Sequence, residues 1–264
     1  MVSGMPGSSS GIWFDSPLPF YEKGALVMFC GRRGGTSKGP YESLNASYKV
    51  GDDPKAVARN REMIARAMGV DPGRLVTMRQ VHGTAIVEAN EPFDDPPLAD
   101  ALYTTNPELV LCVLTADCIP LAAFWTEARL LLMAHVGWRG ALQRFPELIV
   151  RHLKGLGADA HDLLFALGPS IKRPWYMVGE DVRQRFDRLA DSYRAEDYFT
   201  DIDGGFIFDL TKLVVDQLKR AGANRENIWV SEYCTFFRPD LFFSYRRDGK
   251  RSGRQMSCGR IMAR

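Results

Sequence analysis

Few residues in this chain carry metal or nucleophile chemistry: four histidines and five cysteines in 264 residues. One of each sits at the mouth of the same hairpin. Residues 115–136 read TADCIPLAAFWTEARLLLMAHV, two apolar runs joined by the polar link Thr126-Glu127-Ala128-Arg129. With the turn centred near 127–128, the residue opposite His135 is Ile119 or Pro120, and Cys118 lies one or two places beyond. Diagonal cross-strand neighbours stand roughly 7–8 Å apart at Cα, close enough for side chains leaning together to share a metal. Zinc takes thiolate and imidazole ligands at about 2.0–2.3 Å, and a catalytic zinc keeps three protein ligands and one open position. His82, in its own loop before Gly83, is the obvious third ligand. Each residue alone reads as readily as a packed cysteine or a satisfied histidine, so spacing leaves metal binding and simple packing both open.

Other residues could do chemistry. Asp117 precedes Cys118; strand alternation points it away from the thiol unless a bulge intervenes. It is a candidate for supporting hydrogen bonds or for a general base. Arg32 with Gly34, Gly35 and Ser37 could cradle an anion through backbone amides and a guanidinium; a tight turn with a solvent-facing arginine is the alternative. Arg246, Arg254 and Gln255 could supply further donors, or belong to a solvated basic tail. Cys112 lies mid-strand in LVLCVL and reads as core. Cys30, Cys234 and Cys258 lack metal-like spacing, and Cys234 either lines the cleft or packs. His152 and His161 are expected on the surface.

Elements must bring these residues together. Ala25 to Cys30, Leu75 to Met78, Ala85 to Glu88, Leu109 to Thr115, Leu163 to Leu167, Ile228 to Val230 and Leu241 to Tyr245 read as strands. Asp52-Asp53-Pro54 opens a helix with Val57, Ile64 and Met68 on its apolar face and Gly69 at its end. A helical stretch from Trp138 to Leu156 is kinked or restarted by Pro146. Asp181 to Ala190 is a further helix, and Asp209 caps one running to about Arg220. Without a regular βαβ rhythm, α+β is preferred, with residues 1–20 as a flexible arm and 21–264 as one catalytic domain.

Composition excludes several function classes. Net charge is +2, from 34 basic and 32 acidic residues, without a like-charged block. Neither nucleic acid nor a membrane surface is implied as partner. No apolar run approaches the roughly 18 residues of a membrane span. An odd, irregularly spaced cysteine set predicts free thiols and a cytoplasmic setting.

A set of motifs carries a family resemblance. They are Arg32-Arg33-Gly34-Gly35-Thr36-Ser37, Gly39-Pro40-Tyr41-Glu42-Ser43-Leu44-Asn45, Asn60-Arg61, Gln80-Val81-His82-Gly83, Ala99-Asp100-Ala101, Thr115-Ala116-Asp117-Cys118-Ile119-Pro120 and His135-Val136-Gly137-Trp138-Arg139-Gly140. Gly168-Pro169-Ser170-Ile171, Cys234-Thr235, Ser244-Tyr245-Arg246-Arg247 and Gly253-Arg254-Gln255 follow in order. The chain resembles the laccase-domain family, long labelled multicopper polyphenol oxidase and more recently assigned as purine nucleoside phosphorylases. One departure is Met177, where the family often carries an acidic residue.

The resemblance implies a layered α-β-β-α arrangement with central mixed sheets, similar to cysteine hydrolases. It implies zinc on His82, Cys118 and His135, with copper able to occupy the same ligands. Beside that site, Asp117 and Cys118 are the candidate catalytic residues, and Arg32, Gly35, Ser37, Asn45, Arg246 and Arg254 the candidate substrate or phosphate contacts. The implied activity, in a monomer, is phosphorolysis of purine nucleosides such as adenosine, inosine and 5′-methylthioadenosine, with adenosine deamination beside it. A copper-binding polyphenol oxidase would need many more histidines than His152 and His161 supply. A cysteine-dependent amidase editing peptidoglycan precursors would use Cys118 as nucleophile and His135 as its base.

Overall fold

The structure, a computed structural model, describes residues 7–9 and 11–263. Two six-stranded mixed sheets form its centre. The first runs Gly7–Ser9, Ile12–Asp15, Ala25–Cys30, Gln255–Ile261, Val110–Thr115, Leu75–Val76 in spatial order. The second runs Ile228–Val230, Leu164–Leu167, Ile119–Trp125, Leu130–Val136, Ala101–Thr104, Ile86–Glu88. A small third sheet joins Met177–Val178, Gly205–Phe208 and Phe199–Ile202. The chain is a single α+β domain.

Strands of near-continuous apolar sequence bury both faces, and three cores follow. Val27, Phe29, Leu111 and Val113 of the first sheet meet Phe124, Leu131 and Met133 of the second. On the first sheet's other face, Met28, Cys112 and Cys258 pack under Ile64 and Met68 of the helix region beginning at Pro54. On the second sheet's other face, Leu132 and Ala134 pack with Ile149, Leu153, Leu213 and Val214, from helices Phe145–Gly155 and Leu210–Arg220.

Local signals place these helices. Asp53 caps Pro54–Ala67 by accepting from the Lys55 amide at 2.9 Å, and Pro54 takes the first turn, where a missing N–H costs nothing. Asp209 accepts from the Lys212 amide at 2.9 Å. The stretch after Gly137 restarts as expected: Trp138–Leu142 ends, Arg144 turns left-handed at φ 58°, and Phe145–Gly155 follows with Pro146 in its first turn.

Three expectations are corrected. Residues 1–6 and 10 of the expected arm lie outside the described residues, but 12–20 are built into the domain. Ile12 and Phe20 are fully buried, and Ile12–Asp15 pairs with Ala25–Cys30. Leu241 to Tyr245 is not a strand: Ser244 caps a short helix, Tyr245–Asp248. The basic tail holds a strand, Gln255–Ile261, in the middle of the first sheet. Its inward positions are Met, Cys and small polar residues between arginines, so no apolar run betrays it.

Candidate metal centre

The hairpin Ile119–Trp125/Leu130–Val136 pairs Pro120 with His135, within the register expected. Cys118 precedes the first hairpin strand, at the end of a three-residue passage. There the chain leaves the first sheet at Thr115 and enters the second at Ile119. The passage is sharp: Asp117 has φ 96°. His82 also lies in the left-handed region, at φ 58°. Such a conformation costs a non-glycine residue about 1 kcal/mol or more, so surrounding bonds must hold it.

Those bonds converge on Asp100, a fully buried carboxylate. Its oxygens accept from the amides of Val81 (3.1 Å), His82 (3.1 Å) and Gly83 (2.6 Å). Oδ1 also lies 2.8 Å from His135 Nδ1, and the Asp100 carbonyl accepts from the His135 amide at 2.8 Å. One residue therefore fixes the His82 loop, the strand position of His135 and its ring orientation, leaving His135 Nε2 as ligand atom. Gln80 braces the loop from its other side, exchanging side-chain bonds with the backbone of Leu114 at 2.8 and 2.9 Å.

The ligand atoms of His82, Cys118 and His135 lie within 4.8 Å of one another. Tetrahedral zinc with bonds of about 2.0–2.3 Å puts ligand atoms roughly 3.3–3.8 Å apart, so a small inward movement suffices. The histidine rings meet edge to face, centroids 4.8 Å apart. Gly137 makes the room: a Cβ there would stand 2.9 Å from Cys118 Sγ and 3.3 Å from His82 Cδ2. Soft and borderline donors, an oriented imidazole and a cleared approach fit a metal.

Electrostatics agree. Burial would push the Cys118 thiol up, but the neighbouring His135 charge and hydrogen bonds from both histidines bring it down to about 6. Burial would lower His135, yet the Cys118 thiolate and Asp100 raise it to about 9. Burial is likewise outweighed at Asp100, where His135 and the Gly83 and Val81 amides hold the carboxyl below its ordinary value. Without metal, the trio is a thiolate–imidazolium pair backed by a carboxylate.

The centre opens into a cleft of about 680 Å³, which His82, Cys118 and His135 line together with Arg61, Arg139 and Arg254. A smaller cavity of about 360 Å³ is lined by Trp138, Tyr176, Met177 and Arg246 among others. Arg246 stacks over Tyr176, 5.3 Å from its centroid, and donates to the Met177 carbonyl.

The glycine-rich loop is placed otherwise than its anion reading implies. Arg32, Gly35, Ser37 and Asn45 are not among the residues lining that cleft. Arg32 donates to the carbonyls of Glu42 (2.6 Å) and Pro239 (3.1 Å). Gly35 presses on backbone, since a Cβ there would lie 2.2 Å from the Ser43 carbonyl oxygen. Ser37 donates to Asp52 at 2.6 Å, and buried Asn45 donates to Ser47 and Asp52. Asn60 binds this loop through the Thr36 amide, Ser37 and Asn45.

Asp117 does not line the cleft. It accepts from Thr235 Oγ1 and from the Arg246 amide, both at 2.7 Å, and its carbonyl accepts from Ile171. A base role would require it to leave these bonds. In the Cys-Thr motif it is Thr235 that reaches the passage, while the Cys234 sulfur accepts from the Lys172 amide at 3.4 Å. Asp100 and Thr235 carry site geometry that spacing did not disclose; a lone acid inside the apolar stretch LADALYT was the available signal. All five cysteines are free, as expected. His161 is exposed, whereas His152 is half-buried against Tyr103.

A family profile described as multi-copper polyphenol oxidoreductase laccase matches residues 26–262. The chain belongs to this laccase-domain family. Relatives in it carry a different activity name. A purine nucleoside phosphorylase of Streptomyces coelicolor is 37% identical over 227 residues, covering 85% of this chain and 91% of the relative. Purine nucleoside phosphorylase YfiH of Escherichia coli is 34% identical, covering 89% and 93%. The crystal structure of YlmD from Geobacillus stearothermophilus superposes with a TM-score of 0.90 at 29% identity, covering 98% of this chain and all of that one. This laccase-domain chain shares the fold of such proteins at nearly full length. Among its described residues, no helix is long and apolar enough to cross a membrane.

Proposed function

We propose that the protein is a zinc-dependent purine nucleoside phosphorylase. The observation carrying this reading is the convergence of His82, Cys118 and His135 on a cationic cleft, in a chain 30–37% identical to proteins bearing that name. Zinc bound there would act as a Lewis acid on an oxygen of substrate or water. The protein's own part is to hold that ion and position its reactants. Asp100 orients His135, and Gly137 clears the approach. The cleft's guanidiniums attract phosphate, and its apolar wall at Met78, Leu114 and Val50 suits a flat purine.

In phosphorolysis, a phosphate oxygen bonds to C1′ as the C1′–N9 bond breaks. The bonding pair leaves with the purine, which takes up a proton, and ribose 1-phosphate results. Adenosine deamination in the same cleft would exchange the 6-amino group for water's oxygen and release ammonia. The three cores support the layered α-β-β-α reading: helix, two sheets, helices. Copper in a preparation would occupy the same ligands, since copper outcompetes zinc at such donors.

One observation favours a second reading. Cys118, His135 and Asp100 also form the sequence of thiolate, imidazole and carboxylate that an amide-cleaving cysteine enzyme uses. Metal content and turnover decide between them. Freshly purified protein should carry one zinc per chain and release free purine base from adenosine and inosine only when phosphate is present. Metal-free protein that cleaves a muropeptide amide would replace the phosphorylase reading with the thiol one.

A further inference from the structure

His82, Cys118 and His135 line the larger cleft, and Arg61 and Arg254 line it with them. The two arginines are anchored on one residue. Arg61 donates through Nε to the Ala46 carbonyl at 2.8 Å, and the Ala46 amide donates to the Arg254 carbonyl at 3.0 Å. Each guanidinium lies over a tyrosine ring, Arg61 over Tyr48 at 4.6 Å and Arg254 over Tyr245 at 5.5 Å. Arg254 spends NH1 on the carbonyls of Ser252 (2.6 Å) and Gly253 (2.8 Å). Both terminal nitrogens of Arg61, and Nε and NH2 of Arg254, remain uncommitted among the described residues.

Neither arginine has a carboxylate within ion-pair reach among the described residues, whereas Arg79, on the same cleft, pairs with Asp95 at 3.1 Å. Among the described residues, no Asp or Glu lines the cleft. Half-buried cations without counter-charge are costly, and their cost is recovered when an anion completes them. Planar guanidiniums fixed by stacking and by backbone carbonyls offer N–H donors to a tetrahedral oxyanion.

We infer that Arg61 and Arg254, held on Ala46 and faced by Tyr48 and Tyr245, form a seat for a phosphoryl dianion in the metal-centre cleft. The occupant is inorganic phosphate or the phosphate group of an ester, since both present the same oxygens. The inference rests on the phosphorylase reading only for what the bound phosphate then does. The seat itself stands on the cleft's charge and geometry; of the phosphate contacts expected from sequence it keeps only Arg254, and it replaces the glycine-loop cradle.

The deciding experiment uses the wild-type protein with its metal. It is treated with phenylglyoxal, a guanidinium reagent, alone, with inorganic phosphate, and with a nucleoside 5′-monophosphate; modified arginines are then mapped by mass spectrometry. Phosphate or the monophosphate should slow modification of Arg61 and Arg254 by about tenfold, as expected for bidentate contacts, and leave Arg74 unaffected. The better protector identifies the occupant. Equal modification at Arg61 and Arg254 in all three arms overturns the seat, whatever the enzyme turns over. A second arm assays Arg61→Gln and Arg254→Gln, checked for folding by thermal melting. The KM for phosphate should rise about tenfold or more while that for the nucleoside moves little. An unchanged phosphate KM in both folded variants also overturns the seat. A wild-type protein that shows protection but no phosphorolysis would instead refute the phosphorylase reading and leave the seat intact.

Discussion

Cys118 and Cys258 are thiols of one small domain in opposite chemical states. Cys118 sits between two imidazoles; burial would raise its thiol, but the His135 charge together with hydrogen bonds from both histidines brings it down to about 6. Cys258 lies in the outer core of the first sheet, its sulfur 3.6 Å from that of Cys112 on the next strand. The Cys112 contact and burial push it well above its usual value. Cys30, in the same core, is pushed up to about 12 by burial first. Burial alone thus silences a thiol; burial beside a carboxylate-backed histidine activates it. The difference lies in the two imidazoles beside Cys118, one of which, His135, is held by Asp100.

The largest test of this contrast is alkylation of metal-free protein. Only the thiolate reacts, so Cys118 should gain reactivity as pH rises through about 6, where an ordinary thiol would need about 9. Near pH 7.5 it should outreact Cys30 and Cys258 by more than about a thousandfold. Peptide mapping after iodoacetamide treatment measures this; comparable labelling of Cys258 in folded protein would erase the distinction.

Ligand removal comes next. Cys118→Ser and His135→Ala should each weaken zinc binding well beyond about a hundredfold, because two ligands rarely retain zinc. Nucleoside turnover should fall with it, while His152→Ala changes neither. Zinc content and activity read on the same samples check this, and a Cys118→Ser protein with full zinc would remove the thiol from the ligand set.

Asp100→Asn probes the support beneath the ligands. It keeps the shape but loses the charge that holds His135 and three loop amides. Zinc affinity should fall about 10–100-fold, as for other partners of metal-bound histidines, and metal-free Cys118 should titrate closer to the ordinary thiol range. A chelator competition and an alkylation pH profile report the two effects; unchanged values in both would make Asp100 a loop brace only.

The smallest effect belongs to the silent pair. Cys112→Ser should cost about 1 kcal/mol of stability in thermal or denaturant unfolding and leave zinc content intact. Lost zinc would show that the thiol core and the metal centre are not independent.

Much of this centre was legible in the sequence, and the reasons are local. Hairpin register follows from two apolar runs and a short polar link, so Pro120 opposite His135 could be counted. Helix starts at Asp53 and Asp209 announce themselves through side-chain oxygens three or fewer residues from the amides they accept from. What stayed hidden depends on residues far apart in the chain. Thr235 reaches Asp117 across 118 positions, and Arg254 gives its amide to Asn45 across 209. The strand Gln255–Ile261 is central only because the fold places it there. Arg32 beside glycines looked like an anion cradle, yet its Nε and NH1 donate to carbonyls that only the tertiary fold supplies.

The passage Ala116-Asp117-Cys118 joins the two sheets covalently, so Cys118 rides on the seam while His135 belongs to the second sheet and His82 to a loop that Gln80 ties to the first. Any fluctuation that slides one sheet against the other pulls these donors apart. A bound ion therefore stabilises the stacked arrangement selectively, by mass action, over every partly opened one. Ion binding would oppose the opening of the inter-sheet core, and amide exchange deep in Val110–Thr115 would slow in step with ion occupancy.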